Sequence, residues 1–122
     1  MQYLLMISAN EAEEQAMSPE AMGEMLAGYH TFSTELEAAG AMLGGNRLRP
    51  VGTATSVRKR SGDFTLTDGP FAETKEHLGG YYLIEAPSLD AAVEWAKKIP
   101  SVEMGTIEVR PIWDMENEGD EG

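Results

Sequence analysis

A chain of 122 residues with 42% hydrophobic and 25% charged content is the size of one ordinary domain with its own packed core. The absence of cysteine excludes a disulfide framework, thiolate metal ligands and a thiol nucleophile, and fits a reducing compartment. Twenty-one acidic residues against nine basic ones give a formal charge of −12, which opposes phosphate neutralisation and so argues against nucleic acid as a partner.

Residues 2–8 are almost continuously apolar and predict a strand covered on both faces. No apolar run reaches bilayer length, and Tyr3 to Ile7 is too short for a signal-peptide core and lacks a basic leader. A cytoplasmic protein without a membrane partner is expected. Glu11, Glu13 and Glu14 read as an acidic loop. Ser18-Pro19-Glu20 then carries a helix start: a capping hydroxyl, a proline suited to the first position and an acid at the positive end of the dipole. Met22, Met25, Leu26, Tyr29, Phe32, Ser33 and Leu36 recur at helical spacing and Gly40 supplies a stop, so a helix is predicted over about 19–39. Its methionines read as adaptable core rather than as a cofactor pocket.

Ala41 to Leu48 contains paired glycines and predicts a bulged strand. Thr53 to Lys59 and Asp63 to Thr67 flank Arg60-Ser61-Gly62, the pattern of a hairpin. Gly80 to Ala86 is a further strand without polar alternation. Pro87-Ser88 introduces a second helix with apolar positions Leu89, Ala92, Val93, Ala96 and Ile99, which Pro100 ends, and Thr106 to Trp113 is the last strand. The domain is expected over residues 1–113, followed by an acidic, disordered tail over 114–122.

Strand, helix, strand and hairpin, strand, helix, strand is an α+β order. It predicts a ferredoxin-like split β-α-β sandwich with an added hairpin, the first and third main strands lying at the centre of an antiparallel sheet. Two helices cover one face of that sheet. The other face requires a second copy of the chain, giving a homodimer joined through its sheet faces.

The densest chemistry lies in Asp68-Gly69-Pro70-Phe71-Ala72-Glu73-Thr74-Lys75-Glu76, which follows the hairpin. Asp68 suits an Asx-type turn as a structural residue, or an acid, base or ligand-orienting acceptor at a cleft as a functional one. His30 flanks the apolar stripe of the first helix and is the helix-borne group that titrates near neutral pH. Asp68 and His30 therefore form the candidate catalytic pair, if helix and loop meet. Glu73, Lys75 and Glu76 are candidate substrate-binding residues, with solvated ion pairing as the bland alternative. Arg58 belongs to the basic cluster Arg58-Lys59-Arg60 and could meet an anionic substrate or simply solubilise the hairpin. His77 reads as an exposed loop residue. None of these groups shows metal-ligand spacing, and no phosphate loop, dinucleotide fingerprint or nucleophile elbow is present, so no cofactor and no metal are expected.

The stretch from Val57 to Glu85, VRKRSGDFTLTDGPFAETKEHLGGYYLIE, together with YLLMIS, ELEAAG, AAVEWAKKIP and IEVRPI, resembles the DGPF branch of the YCII-related proteins. The resemblance implies a ferredoxin-like domain that dimerises into an α/β barrel, like small barrel enzymes such as muconolactone isomerases and cofactor-free monooxygenases. It implies a histidine–aspartate centre, for which His30 and Asp68 are the matching residues. Two functions follow as expectations: a cofactor-free enzyme applying acid–base chemistry to a small molecule in a cleft near the DGPF loop, or a non-catalytic ligand- or protein-binding module with a regulatory role, linked by association to sigma factors.

Overall fold

The computed structural model describes residues 1–70, 72 and 74–115. Four strands form an antiparallel sheet in the order β2-β5-β1-β6: β1 (Gln2–Ala9), β2 (Met42–Arg47), β5 (His77–Glu85) and β6 (Thr106–Pro111). β1 and β5 are central, in keeping with apolar residues on both of their faces. The arrangement is α+β and consistent with the ferredoxin-like plan. β3 (Thr55–Arg60) and β4 (Asp63–Asp68) pair only with each other, as a separate two-stranded sheet.

Among the described residues there are three α-helices, α1 (Glu11–Gln15), α2 (Pro19–Ala38) and α3 (Leu89–Ala96). α2 begins where the sequence places its start. Ser18 Oγ accepts from the Ala21 N–H at 3.1 Å and Pro19 takes the first helical position, where its missing N–H costs nothing. α3 is capped in the same way by Ser88. The expected acidic loop is instead the short helix α1, because Asn10 Oδ1 accepts from the Glu13 N–H and the three glutamates lie at the positive end of the dipole.

The core lies between the sheet and the helices. Tyr3, Leu5 and Ile7 of β1 and Ile84 of β5 bury against Phe32 and Leu36 of α2, Ala92 and Ala96 of α3, and Ile99. The alternate residues Leu4, Met6 and Leu83 face the opposite side and are half-buried. The glycine-containing β2 carries the expected irregularity, a register shift against β5 between Met42 and Gly44. Ser61 and Gly62 both have positive φ, of 52° and 84°, the backbone that a two-residue hairpin turn matched to the strand twist requires. Among the described residues no helix is long and apolar enough to cross a membrane.

The apolar stripe of α2 does not bury along its whole length. Phe32 and Leu36 are buried, but Met22, Met25 and Leu26 in the first half are not. The second half packs on large side chains of the sheet, whereas the first half stands over Gly45, Gly79 and Gly80. The space left open between them is a cavity.

Candidate functional site

The cavity has a volume of 680 Å³, within the range of about 300–1,000 Å³ usual for small-molecule sites. Strand pairing sets its floor. Ile7 pairs with Gly80 and Gly80 with Arg47, so one row across the sheet presents Arg47, a bare glycine and Ile7. The adjoining row is Gly45, Tyr82 and Leu5. Met22, Met25, Leu26 and Tyr29 of α2 form the roof, and Glu11 and Glu14 of α1 close one side. The methionines expected in the core therefore line a pocket, because Gly45 and Gly80 leave the floor bare at two positions.

Polar groups converge on this apolar space in pairs. The Tyr29 hydroxyl lies 2.6 Å from Ser101 Oγ. Ser101 is buried, at only 2% exposed. Burial pushes the Tyr29 phenol above its ordinary value of 10.0, the hydrogen bond with Ser101 draws it partly back, and the neighbouring Tyr82 and Glu14 add to the upward shift. Tyr29 is thus a neutral proton donor throughout the physiological range. The Tyr82 hydroxyl lies 3.1 Å from Ser33 Oγ, and its ring packs edge-on against Phe32 with centroids 5.0 Å apart. Gly45 makes room for that ring: a Cβ there would stand 2.9 Å from Tyr82 Cδ1. On the other face of the sheet, the side of Met6, Asn46 Nδ2 donates to the Tyr81 hydroxyl at 2.9 Å. At the mouth, Glu11 Oε2 accepts from the Val51 N–H at 2.8 Å and ties α1 to the segment after β2.

The residues singled out in the sequence lie elsewhere. His30 is exposed on α2, next to Tyr29, and does not line the cavity. Asp68 is exposed at the end of β4, directly opposite Thr55 of β3. No hydrogen bond or ion pair joins His30 to Asp68. Arg58 is exposed on β3, opposite Thr65. Lys75 is exposed and Glu76 half-buried, the Glu76 carbonyl accepting from the Thr74 hydroxyl. Glu73 lies outside the described residues, as does most of the expected tail. His77, expected in a loop, is the first residue of β5 and half-buried, since the pairing of Ala9 with His77 extends the ladder to that point. None of the described residues of the DGPF run lines the cavity, which is reached through the following glycines, Gly79 and Gly80. Among the described residues no group of three or more histidine or acidic side chains stands together as a metal site.

Sequence reading missed Tyr29, Ser101, Arg47 and Arg49 as functional residues. Tyr29 counted as core and Ser101 is 72 positions away from it. The two arginines do carry a signal, alternating charges directly after a glycine-containing strand, but the contiguous cluster Arg58-Lys59-Arg60 is the more conspicuous basic feature.

Residues 1–116 match the YCII-related domain. The curated "Uncharacterized protein R00369" of Rhizobium meliloti (strain 1021) is 33% identical over 114 residues, covering 92% of each chain. Among solved structures, the chain is similar to 5-chloro-2-hydroxyhydroquinone dehydrochlorinase (TftG) from Burkholderia phenoliruptrix AC1100, in complex with 2,5-dihydroxybenzoquinone. That match has a TM-score of 0.47 at 16% identity and covers 92% of this chain and 93% of the other. With the family matched over nearly its whole length and a relative of similar extent, the chain belongs to the YCII-related family.

Proposed function

We propose that the protein is a small-molecule enzyme of the DGPF branch whose acid–base chemistry takes place in the cavity between α2 and the sheet, with side chains alone as the reacting groups. The observation that carries this reading is Tyr29. It lines the cavity, is hydrogen-bonded to the buried Ser101, and holds its proton more firmly than a free phenol. A neutral phenol in an apolar cleft is suited to donate to an oxygen that gains negative charge. Glu14 lines the same cavity and interacts electrostatically with Tyr29, which makes it the matching base. The reaction class is proton abstraction next to a carbonyl. Glu14 takes the carbon-bound proton, the electron pair moves into a carbon–carbon double bond, and Tyr29 supplies a proton to the resulting enolate oxygen.

The test is proton exchange in D₂O with a panel of small cyclic ketones and unsaturated lactones, followed by NMR. Wild-type protein exchanges the α-proton of at least one of them, and Tyr29→Phe slows that exchange by about 10²–10⁴-fold. Equal rates for the two proteins would remove Tyr29 from the chemistry.

The working unit in this reading is a homodimer. Val57 and Leu66 pair across the hairpin, as do Lys59 and Phe64, so Val57, Leu66 and Phe64 share one face. They are 61%, 69% and 70% exposed. Leu4, Met6 and Leu83 form a second apolar surface on the uncovered side of the sheet. Both surfaces are accounted for when a second copy covers them, and burying a side chain of this size contributes about 1.5–3 kcal/mol.

A further inference from the structure

The cavity holds two of the nine basic residues of a strongly acidic chain, Arg47 and Arg49. Among the described residues neither forms an ion pair, although a carboxylate on the same wall would be the obvious partner. Ion pairs among the described residues join Glu94 to Lys97, Glu35 to Lys98, Glu108 to Arg110, and Glu85 to the N-terminal ammonium. Glu11 is engaged by the Val51 backbone N–H instead. Both arginines are exposed and solvated at the mouth of the apolar cavity, so their guanidinium forks are open to an anionic ligand.

The position of Arg47 is fixed by the sheet. Arg47 is the last residue of β2 and pairs with Gly80, and in strand alternation it falls on the face that carries Gly45 and Tyr82. That is the face α2 covers. Gly80 is buried and leaves the floor bare between Arg47 and Ile7. A Cβ at Gly80 would come within 3.0 Å of the Asn46 carbonyl oxygen and 3.5 Å of Arg47 Cα, so the strand that carries Arg47 approaches as closely as it does because position 80 has no side chain. An apolar ring laid on Gly80, beneath Met25 and Leu26, would direct a substituent toward the guanidinium.

Resting on the enzymatic reading of this cavity, we infer that its ligand is a singly charged carboxylate carried on a small apolar ring, with Arg47 as the counter-ion and Arg49 reinforcing it at the mouth. A carboxylate fits better than a phosphate. Taking a dianion out of water costs about four times as much as taking a monoanion of the same size, whereas its attraction to Arg47 and Arg49 only doubles, and Glu11 and Glu14 on the same lining oppose it. The phosphate-binding alternative also lacks a glycine-rich loop leading into a helix, and the start of α2 is already capped by Ser18.

Calorimetric titration of the full chain with benzoate, benzamide and inorganic phosphate tests this. Benzoate binds, benzamide binds at least about tenfold more weakly, and phosphate does not displace benzoate. Arg47→Gln weakens benzoate by about 10–100-fold, as expected for a charged hydrogen-bonded pair, and has little effect on benzamide. Lys97→Gln, on the far surface of α3, serves as the control and leaves benzoate binding unchanged. Benzamide binding as tightly as benzoate, or benzoate unaffected by Arg47→Gln, overturns the anion site while leaving the cavity as a binding site for neutral rings. Displacement of benzoate by phosphate in wild type but not in Arg47→Gln assigns the site to phosphate instead. If neither ring binds, the anion site and the enzymatic reading of the cavity both fail.

Discussion

Tyr29 and Ser101 stand 72 positions apart in the chain and share a 2.6 Å hydrogen bond at the edge of the cavity. The contact joins the middle of α2 to the single turn Pro100–Glu103 that follows α3. Tyr29→Phe leaves the buried Ser101 hydroxyl with only the distant Met25 sulfur, at 4.0 Å. The expected loss is about 1–3 kcal/mol in urea unfolding, and Tyr29→Phe/Ser101→Ala recovers part of it.

The same residue gives stability an alkaline limb. Because burial raises the phenol above 10.0 in the folded protein, the folded state holds this proton more tightly than the unfolded chain. Its contribution is complete below the unfolded value and is lost as pH rises toward the folded one. Urea midpoints measured between about pH 9 and about pH 11 should fall more steeply in wild type than in Tyr29→Phe. Parallel slopes would mean that Tyr29 is not desolvated.

Two glycines of α2 should respond to alanine with opposite signs. Nothing lies within 4 Å of a Cβ built at Gly23, so Gly23→Ala stabilises the helix by about 0.5–1 kcal/mol. At Gly28 the Cβ would stand 2.9 Å from Pro100 Cγ, in a rigid ring. Gly28→Ala must push α2 away from the 100–103 turn and destabilises by about 1–3 kcal/mol. Thermal unfolding of the two variants checks both signs.

Coupling between His30 and Asp68 is measurable without knowing a substrate. With no hydrogen bond or ion pair joining them, His30→Ala and Asp68→Asn should add within about 0.3–0.5 kcal/mol in a double-mutant cycle of unfolding. A larger interaction energy would restore the pair as a unit.

The hairpin prediction concerns assembly. Leu66→Asp, or Val57→Asp on the opposing strand, places a charge in the exposed apolar face. Sedimentation should show a shift from dimer toward monomer relative to wild type, whereas Thr65→Asp on the other face should not. A monomeric wild-type protein would remove the dimer altogether.

Local chemistry made much of the fold legible. Ser18-Pro19 set the start of α2, the glycine pair of β2 marked its irregular register, and Ser61-Gly62 supplied the turn. These signals act within a few residues. The cavity did not announce itself, since it arises where the first half of α2 passes over glycines from two different strands. Met25 at helical spacing looks the same whether the surface facing it is Ile84 or Gly80. The DGPF run pointed to the family, yet its charge density drew attention to the hairpin and away from Arg47, whose place at the cavity depends on pairing with a residue 33 positions later.

The uneven seating of α2 has a dynamic corollary. Its C-terminal half is anchored by the buried Phe32 and Leu36, while its N-terminal half meets the 100–103 turn through Gly28 and Tyr29 and otherwise borders the cavity. Held in this way, the helix should behave as a cantilever whose N-terminal end breathes over the glycine floor. A guest wedged beneath it would act as a strut, slowing amide exchange over residues 20–28 and leaving residues 32–38 as they were. Occupancy could then be followed as a gradient of rigidity along one helix, with no need to observe turnover.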